Sequence, residues 1–257
     1  MIKKNKWNTI FSSKKMSYYQ KTLDYIKSQD SLSNIKSYNL CKIIYPGLTP
    51  KIYCTMKNFF SKLIVDNFGK KIKDSISILD FGSGNGFLLF FLLNKFNIKK
   101  MLSIELSKNL IFLQKKILHK TKFLLIDNNN TLFFNKVKDN SYDFVICCSV
   151  FQYFISYRYA IDIIENFIRI GKRKICLYDI KNFEFKHKYL KNLMDRQNIS
   201  KSEFKKKYKF CPIRFYKKKF FLDKFSNIEK VKKIIFERMP VGSLDQDFGY
   251  SVIIELN

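Results

Sequence analysis

"SILDFGSGNGFLLFFLL", residues 77–93, decides how the rest of the chain is read. An apolar run ends on Asp80, glycines stand at positions 82, 84 and 86, and a second apolar run begins at Phe87. Glycine permits positive φ and carries no Cβ to hold a ligand off the backbone. A bare loop between a strand and a helix puts that ligand at the carboxyl end of the strand, where open α/β sheets bind. The spacing is GxGxG, one residue short of the GxGxxG dinucleotide fingerprint, so the loop alone names no ligand.

Working outward, the text alternates. Residues 75–80 read as a buried strand, 86–96 as a helix, 100–105 as a strand, 107–118 as a helix, and 122–127 and 142–148 as strands. A helix over 157–170 and a strand over 174–179 follow. Strands alternating with helical patterns predict a mostly parallel sheet covered on both faces. The chain closes differently: "VKKIIFERM" (231–239) and "GYSVIIELN" (249–257) are strand-like runs joined by a loop alone, which predicts an antiparallel hairpin. Residues 1–70 read as a helical N-terminal cap, with apolar spacing around Tyr18–Ile26 and Ile52–Phe68 and a turn at "YPGLTP" (45–50). The main domain spans 71–257, with a Lys- and Phe-rich, mostly helical insertion at about 181–227.

The chain has 257 residues, 46% hydrophobic and 17% aromatic, which is too apolar for disorder and enough for a full core. Its apolar runs fall short of the roughly 20 residues of a membrane span, and the basic N-terminus lacks a signal-like apolar stretch. A cytoplasmic protein is expected. Six cysteines form no CxxC pair and histidines number two, so no metal site is expected. Cys147 and Cys148 read as free thiols in an apolar run. The formal charge of +28 invites a polyanion partner. A chain crowded with Lys, Asn, Ile, Phe and Tyr also reflects A/T-rich coding, and the basic residues are scattered, so charge does not decide function.

The acids sharpen the loop's meaning. Asp80 ends the first strand, Glu105 the second, and Asp127, followed by Asn128, the third. Three carboxylates at neighbouring strand tips disfavour a phosphate-rich ligand and suit a cationic nucleoside. In "ILDFGSGNG", "SIEL", "LLIDN" and "YDFVICCSVFQYF", taken in order, the sequence resembles the class I S-adenosylmethionine-dependent methyltransferases. The resemblance covers residues 75–179, reaches the terminal hairpin by pattern, and does not extend specifically to the first seventy residues. It implies an α/β, Rossmann-like, doubly wound, mostly parallel seven-stranded sheet with a C-terminal antiparallel hairpin. It also implies S-adenosyl-L-methionine as cofactor. Carried over by position, Asp80, Gly82, Ser83 and Gly84 would cradle the methionine portion, and Gly86 would open the helix behind it. Glu105 would hold the ribose, Leu106 would lie against the adenine, and Asp127 and Asn128 would serve the adenine edge. Cys148 and Ser149 would face the sulfonium, with Phe151 nearby. Helix capping is the alternative role for Asp80 and Asp127, and core packing that for Leu106.

Methyl transfer from a sulfonium rests on positioning, and a base is needed only where the acceptor loses a proton. Gln152 and Tyr153, which follow the fourth strand, are the candidate catalytic residues. Asp179, Lys181 and His187 are further acceptor-side candidates, and His187 also fits a solvated helix face. At the place where adenine-amine methylases carry Asn/Asp-Pro-Pro-aromatic, this chain reads Ser149-Val150-Phe151-Gln152. The expected partner is therefore a small-molecule acceptor, a metabolite or sugar methylated on O or N. An RNA methyltransferase using the basic surface is one alternative, and a non-catalytic cofactor- or partner-binding protein of the same fold is the other.

Overall fold

The computed structural model describes residues 67–68, 75–118, 121–125, 131–209, 212–240 and 245–257. The expected cap over residues 1–70 therefore lies almost wholly outside the described residues, as do Asp127 and Asn128. The strands form a seven-stranded sheet in the order β3-β2-β1-β4-β5-β7-β6. The chain divides into two compact units, one carrying β1 to β3 and the other β4 to β7.

In the first unit, β1 (Ile76–Phe81) pairs in parallel with β2 (Ile98–Glu105), and β2 pairs in parallel with β3 (Thr121–Leu125). All six residues of β1 are buried, as expected of a strand covered on both faces. Helix α1 (Phe87–Lys95) follows the glycine loop, and α2 (Lys108–Ile117) starts behind an N-cap, Ser107, whose side chain accepts from the Leu110 N–H.

The second unit holds β4 (Tyr142–Cys148), α3 (Tyr157–Ile170), β5 (Gly171–Lys181), β6 (Val231–Arg238) and β7 (Gly249–Leu256). Helix α3 begins at Ser156, whose side chain caps the Tyr159 N–H, and buries Ala160, Ile163, Ile164, Phe167 and Ile168 along one stripe. At about 1.5–3 kcal/mol for each large apolar side chain, that stripe is what keeps the helix on the sheet. β4 and β5 are parallel, whereas β7 is antiparallel to both β5 and β6, as the closing sequence pattern predicts. The cross-strand pair Lys174 and Glu255 adds an ion pair at 2.9 Å to that register. The insertion is helical as expected: α4 (Lys186–Gln197), α5 (Lys201–Lys207) and α6 (Lys218–Phe225).

Two strands are longer than expected by two residues or more. β5 begins directly at Gly171, because its charged Lys172 and Arg173 are exposed at the strand's entrance, and it runs on to Lys181. β2 likewise starts two residues early, at Ile98.

Candidate functional site

The glycine loop is built by its backbone. Gly82, Gly84 and Gly86 have φ of 73°, 58° and 80°, a region that costs L side chains roughly 1–2 kcal/mol. Gly86 is required twice over, since a Cβ there would lie 2.8 Å from Gln114 Cγ on α2 and 3.1 Å from Leu118 Cδ1. At Gly84 a Cβ would meet nothing within 4 Å, so this position faces open space.

A closed ring of hydrogen bonds holds the loop to β2 and α2. The Ser103 hydroxyl donates to Gln114 Oε1 at 2.6 Å, and Gln114 Nε2 donates to Ser83 Oγ at 2.8 Å and to the Gly84 carbonyl at 2.7 Å. Ser103 has one proton and gives it to Gln114, so the 2.6 Å contact between Ser83 and Ser103 is donated by Ser83. Every buried polar atom of the ring is thereby satisfied. Glu105 adds a second clamp. Its Oε2 accepts from the Gly84 N–H at 2.7 Å, and its Oε1 accepts from the N–H groups of Leu106 at 2.8 Å and Ser107 at 2.9 Å.

Asp80 is 1% exposed, and its Oδ2 has no hydrogen-bond partner among the described residues. Burial, and then the charge of Glu105, push its carboxyl up to about 8. Burial also raises Glu105, against the pull of its three N–H donors. A buried, unpartnered carboxyl beside a bare loop is a place for a cationic group. The amino group and sulfonium of S-adenosylmethionine are of that kind, so the residues present fit this cofactor.

In the other unit the tips of β4 and β5 carry a second cluster. Ser149 and Asp179 have φ of 58° and 59°, and the Ser149 hydroxyl donates to Asp179 Oδ2 at 2.8 Å. Lys181, 1% exposed, donates to Asp179 Oδ1 at 2.7 Å and to Asp245 Oδ2 at 2.6 Å, and Arg196 on α4 donates to Asp245 Oδ1 at 3.1 Å. The Tyr189 ring lies 5.1 Å from the Lys181 ammonium. Gln152 is buried, donates Nε2 to the Ser149 carbonyl at 2.9 Å, and leaves Oε1 without a partner among the described residues. Tyr153 is half-buried, and burial raises its phenol.

Residues 79–172 match the family model described as a methyltransferase domain. The chain therefore carries a methyltransferase domain. No curated protein matches it. Among solved structures, the methyltransferase is similar to the plantazolicin methyltransferase BpumL in complex with SAH, at 14% identity and a TM-score of 0.57, covering 94% of this chain and 99% of that one. A Haloferax volcanii methyltransferase solved with the Trm112 activator gives 14% and 0.55, over 82% of this chain and 92% of that one. Magnesium protoporphyrin IX methyltransferase (ChlM) from Synechocystis PCC 6803 with bound SAH gives 12% and 0.53, over 96% and 98%. At these identities the likeness is one of fold.

The methyltransferase brings Asp80, Gly82, Ser83, Gly84, Gly86, Glu105 and Leu106 together at the tips of β1 and β2. The capping alternative for Asp80 fails, because the residue capping α1 is Gly86. The Ser83 hydroxyl is turned into the ring with Ser103 and Gln114. Phe151 is wholly buried, with Phe154 at 4.6 Å and Tyr216 at 5.6 Å between ring centroids. Cys147 is buried as read, and Cys148 is half-exposed at the tip of β4. His187 is exposed on α4. Among the described residues no metal-binding cluster is found, and no helix is long and apolar enough to cross a membrane.

Proposed function

We propose that the enzyme methylates an O or N atom of a small molecule. S-adenosylmethionine, when bound, supplies a methyl group on a positively charged sulfur that departs as a neutral thioether. On this reading Asp80 and the backbone of residues 82–86 hold the methionine portion, and the buried Asp80 carboxyl gives up its proton to face the cation. The remaining acceptor capacity of Glu105 serves the ribose, Leu106 lies against the adenine, and Asp127 and Asn128 serve its edge. Cys148 and Ser149 face the sulfonium, while Gln152 and Tyr153 line the acceptor's side.

The observation that carries the cofactor assignment is the unpartnered Asp80 Oδ2 behind a loop open at Gly84. For the acceptor, the enclosed amide oxygen of Gln152 beside a half-buried Tyr153 supports a compact polar molecule. An unpaired buried acceptor atom costs about 1–3 kcal/mol, a cost that a donor on the substrate removes. Incubation with methyl-labelled cofactor and fractionated cell extract tests this. Label in small molecules is expected. Label in RNA overturns the acceptor class, and tight cofactor binding with no label in any fraction points to a non-catalytic binding protein.

The RNA alternative rests on Phe183 and Phe185, which are exposed just after β5, with Lys217 at 5.0 Å and Lys186 at 5.7 Å from the Phe183 ring. Aromatic faces beside ammonium groups are the ingredients of single-strand binding.

A further inference from the structure

We infer that Ser149 and Asp179 form a proton relay that deprotonates the methyl acceptor, with Lys181 as its positioning residue. The inference rests on the reading above, that the tip of β4 serves the transferring methyl group. It adds a substrate class: the acceptor carries an O–H or N–H that it loses on methylation.

The first observation is conformational. Four described non-glycine residues have positive φ: Asn140, Asn198, Ser149 and Asp179. The asparagines sit in turns, where this conformation is ordinary. Ser149 instead directly follows β4, Asp179 lies in the adjacent parallel strand β5 where its register with β7 shifts, and the two are tied to each other. Strain of this kind persists where the surroundings over-determine it, and it gathers at functional sites.

The second observation is the wiring. Asp179 is 8% exposed and Ser149 is exposed, so the hydroxyl is the solvent-side end of the pair. Lys181 occupies Asp179 Oδ1, which leaves Oδ2 to Ser149. Lys181 is fixed in turn by Asp245, and Asp245 by Arg196. The charged and titratable groups around Asp179 are thus Lys181, Asp245 and Arg196, with Tyr153 and Tyr189 beside Lys181. Burial raises the Asp179 carboxyl, and Lys181 together with the Ser149 hydrogen bond opposes the rise. A carboxylate lifted from its ordinary range is a better proton acceptor near neutrality.

The neighbours are less suited. The Gln152 amide does not take a proton at neutral pH, and burial drives the Tyr153 phenol away from ionisation. In the relay, the acceptor's lone pair forms the new bond to the methyl carbon, and the sulfur keeps the electron pair of the bond it loses. The acceptor's proton passes to Ser149 Oγ, and the Ser149 proton moves to Asp179 Oδ2. Lys181 keeps its charge throughout.

Ser149→Gly and Asp179→Asn in the full-length chain test the relay, since both replacements accept positive φ. With the labelled cofactor and the extract fraction that takes up label, both variants should transfer about a hundredfold more slowly. Cofactor affinity of Asp179→Asn should stay within about twofold, and the melting temperature of Ser149→Gly should stay close to that of the wild type. The residual rate should recover with rising pH as the acceptor ionises by itself. Wild-type rates, or slower rates with an unchanged pH profile, overturn the relay. If the wild-type protein labels nothing, the proposed function falls, and a carboxyl carbon NMR titration of the ligand-free protein decides the relay separately. The Asp179 resonance, identified by its loss in Asp179→Asn, should titrate above the ordinary carboxylate range and shift in Ser149→Gly. Titration in the ordinary range, or no shift, overturns it.

Discussion

Asp80→Asn isolates the cost of the buried Asp80 carboxyl to the ligand-free fold. The Asp80 carboxyl moves from 3.8 to about 8 on folding, chiefly through burial. Between those limits the native state holds a proton that the unfolded chain releases, so stability falls as pH rises through the interval and levels off above it. Each tenfold change in proton affinity corresponds to about 1.4 kcal/mol, which makes the full interval worth on the order of 5 kcal/mol. Asparagine has the same shape and does not ionise. Urea denaturation of both proteins, ligand-free, between about pH 5 and about pH 9 gives their stability difference. Wild-type stability relative to the variant should fall by about 1.4 kcal/mol per pH unit and flatten near pH 8. Glu105→Gln should move that flattening to lower pH, because the Glu105 charge is the second cause of the raised Asp80 carboxyl. Cofactor affinity should rise with pH over the same window, since a cation favours the ionised carboxyl. A stability difference that does not change with pH would refute the reasoning, for it would mean that the Asp80 carboxyl is already ionised or solvated in the native state.

Gly86→Ala should destabilise the ligand-free protein by about 2–4 kcal/mol in the same denaturation assay. The left-handed backbone costs roughly 1–2 kcal/mol, and pushing Gln114 from its ring strands buried partners at about 1–3 kcal/mol each. Lys181→Met should cost about 3–5 kcal/mol at neutral pH, because it leaves Asp179 buried without its cation, whereas Asp245 keeps Arg196. Part of that loss should return on acidification, as the abandoned Asp179 carboxylate takes up a proton, and a loss unchanged by pH would show that Lys181 acts through packing alone.

The parts of the fold and site that were legible in the sequence are those that local chemistry dictates. Gly86 could be read because positive φ and the approach of α2 leave no room for a side chain, and α3 because its apolar stripe repeats with the helical period. The ring of Ser83, Ser103 and Gln114 was hidden. A glutamine in an amphipathic helix reads as part of the solvated face, yet Gln114 is fully buried, because its partners lie 11 and 31 residues away. The only local signal was two serines in otherwise apolar strand and loop positions. The burial of Lys181, itself read as an acceptor-side candidate, was hidden for the same reason. A lysine after a strand reads as exposed, and the carboxylate that helps bury it comes from 64 residues on.

The same long-range pairing bears on the net charge of +28. Asp80, Glu105, Asp143 and Asp179 are buried, against Lys181 alone among buried basic residues of the described chain. Glu105 is held by N–H donors and Asp179 by a lysine, and with these acids inside the exterior is more basic than the total suggests. A surface of scattered lysines binds any polyanion weakly and loses it as counterions compete. The methyltransferase should therefore retain poly(U) at low salt and release it near physiological ionic strength, with Phe183→Ala changing nothing. A site evolved for RNA would behave otherwise, because base stacking on an aromatic ring is worth about 1–3 kcal/mol and survives salt. Retention at physiological salt that Phe183→Ala abolishes would move the acceptor from small molecules to RNA. The exposed rings beside Lys186 and Lys217 would then be the strand-binding face, rather than hydrophobic surface covered by ammonium groups.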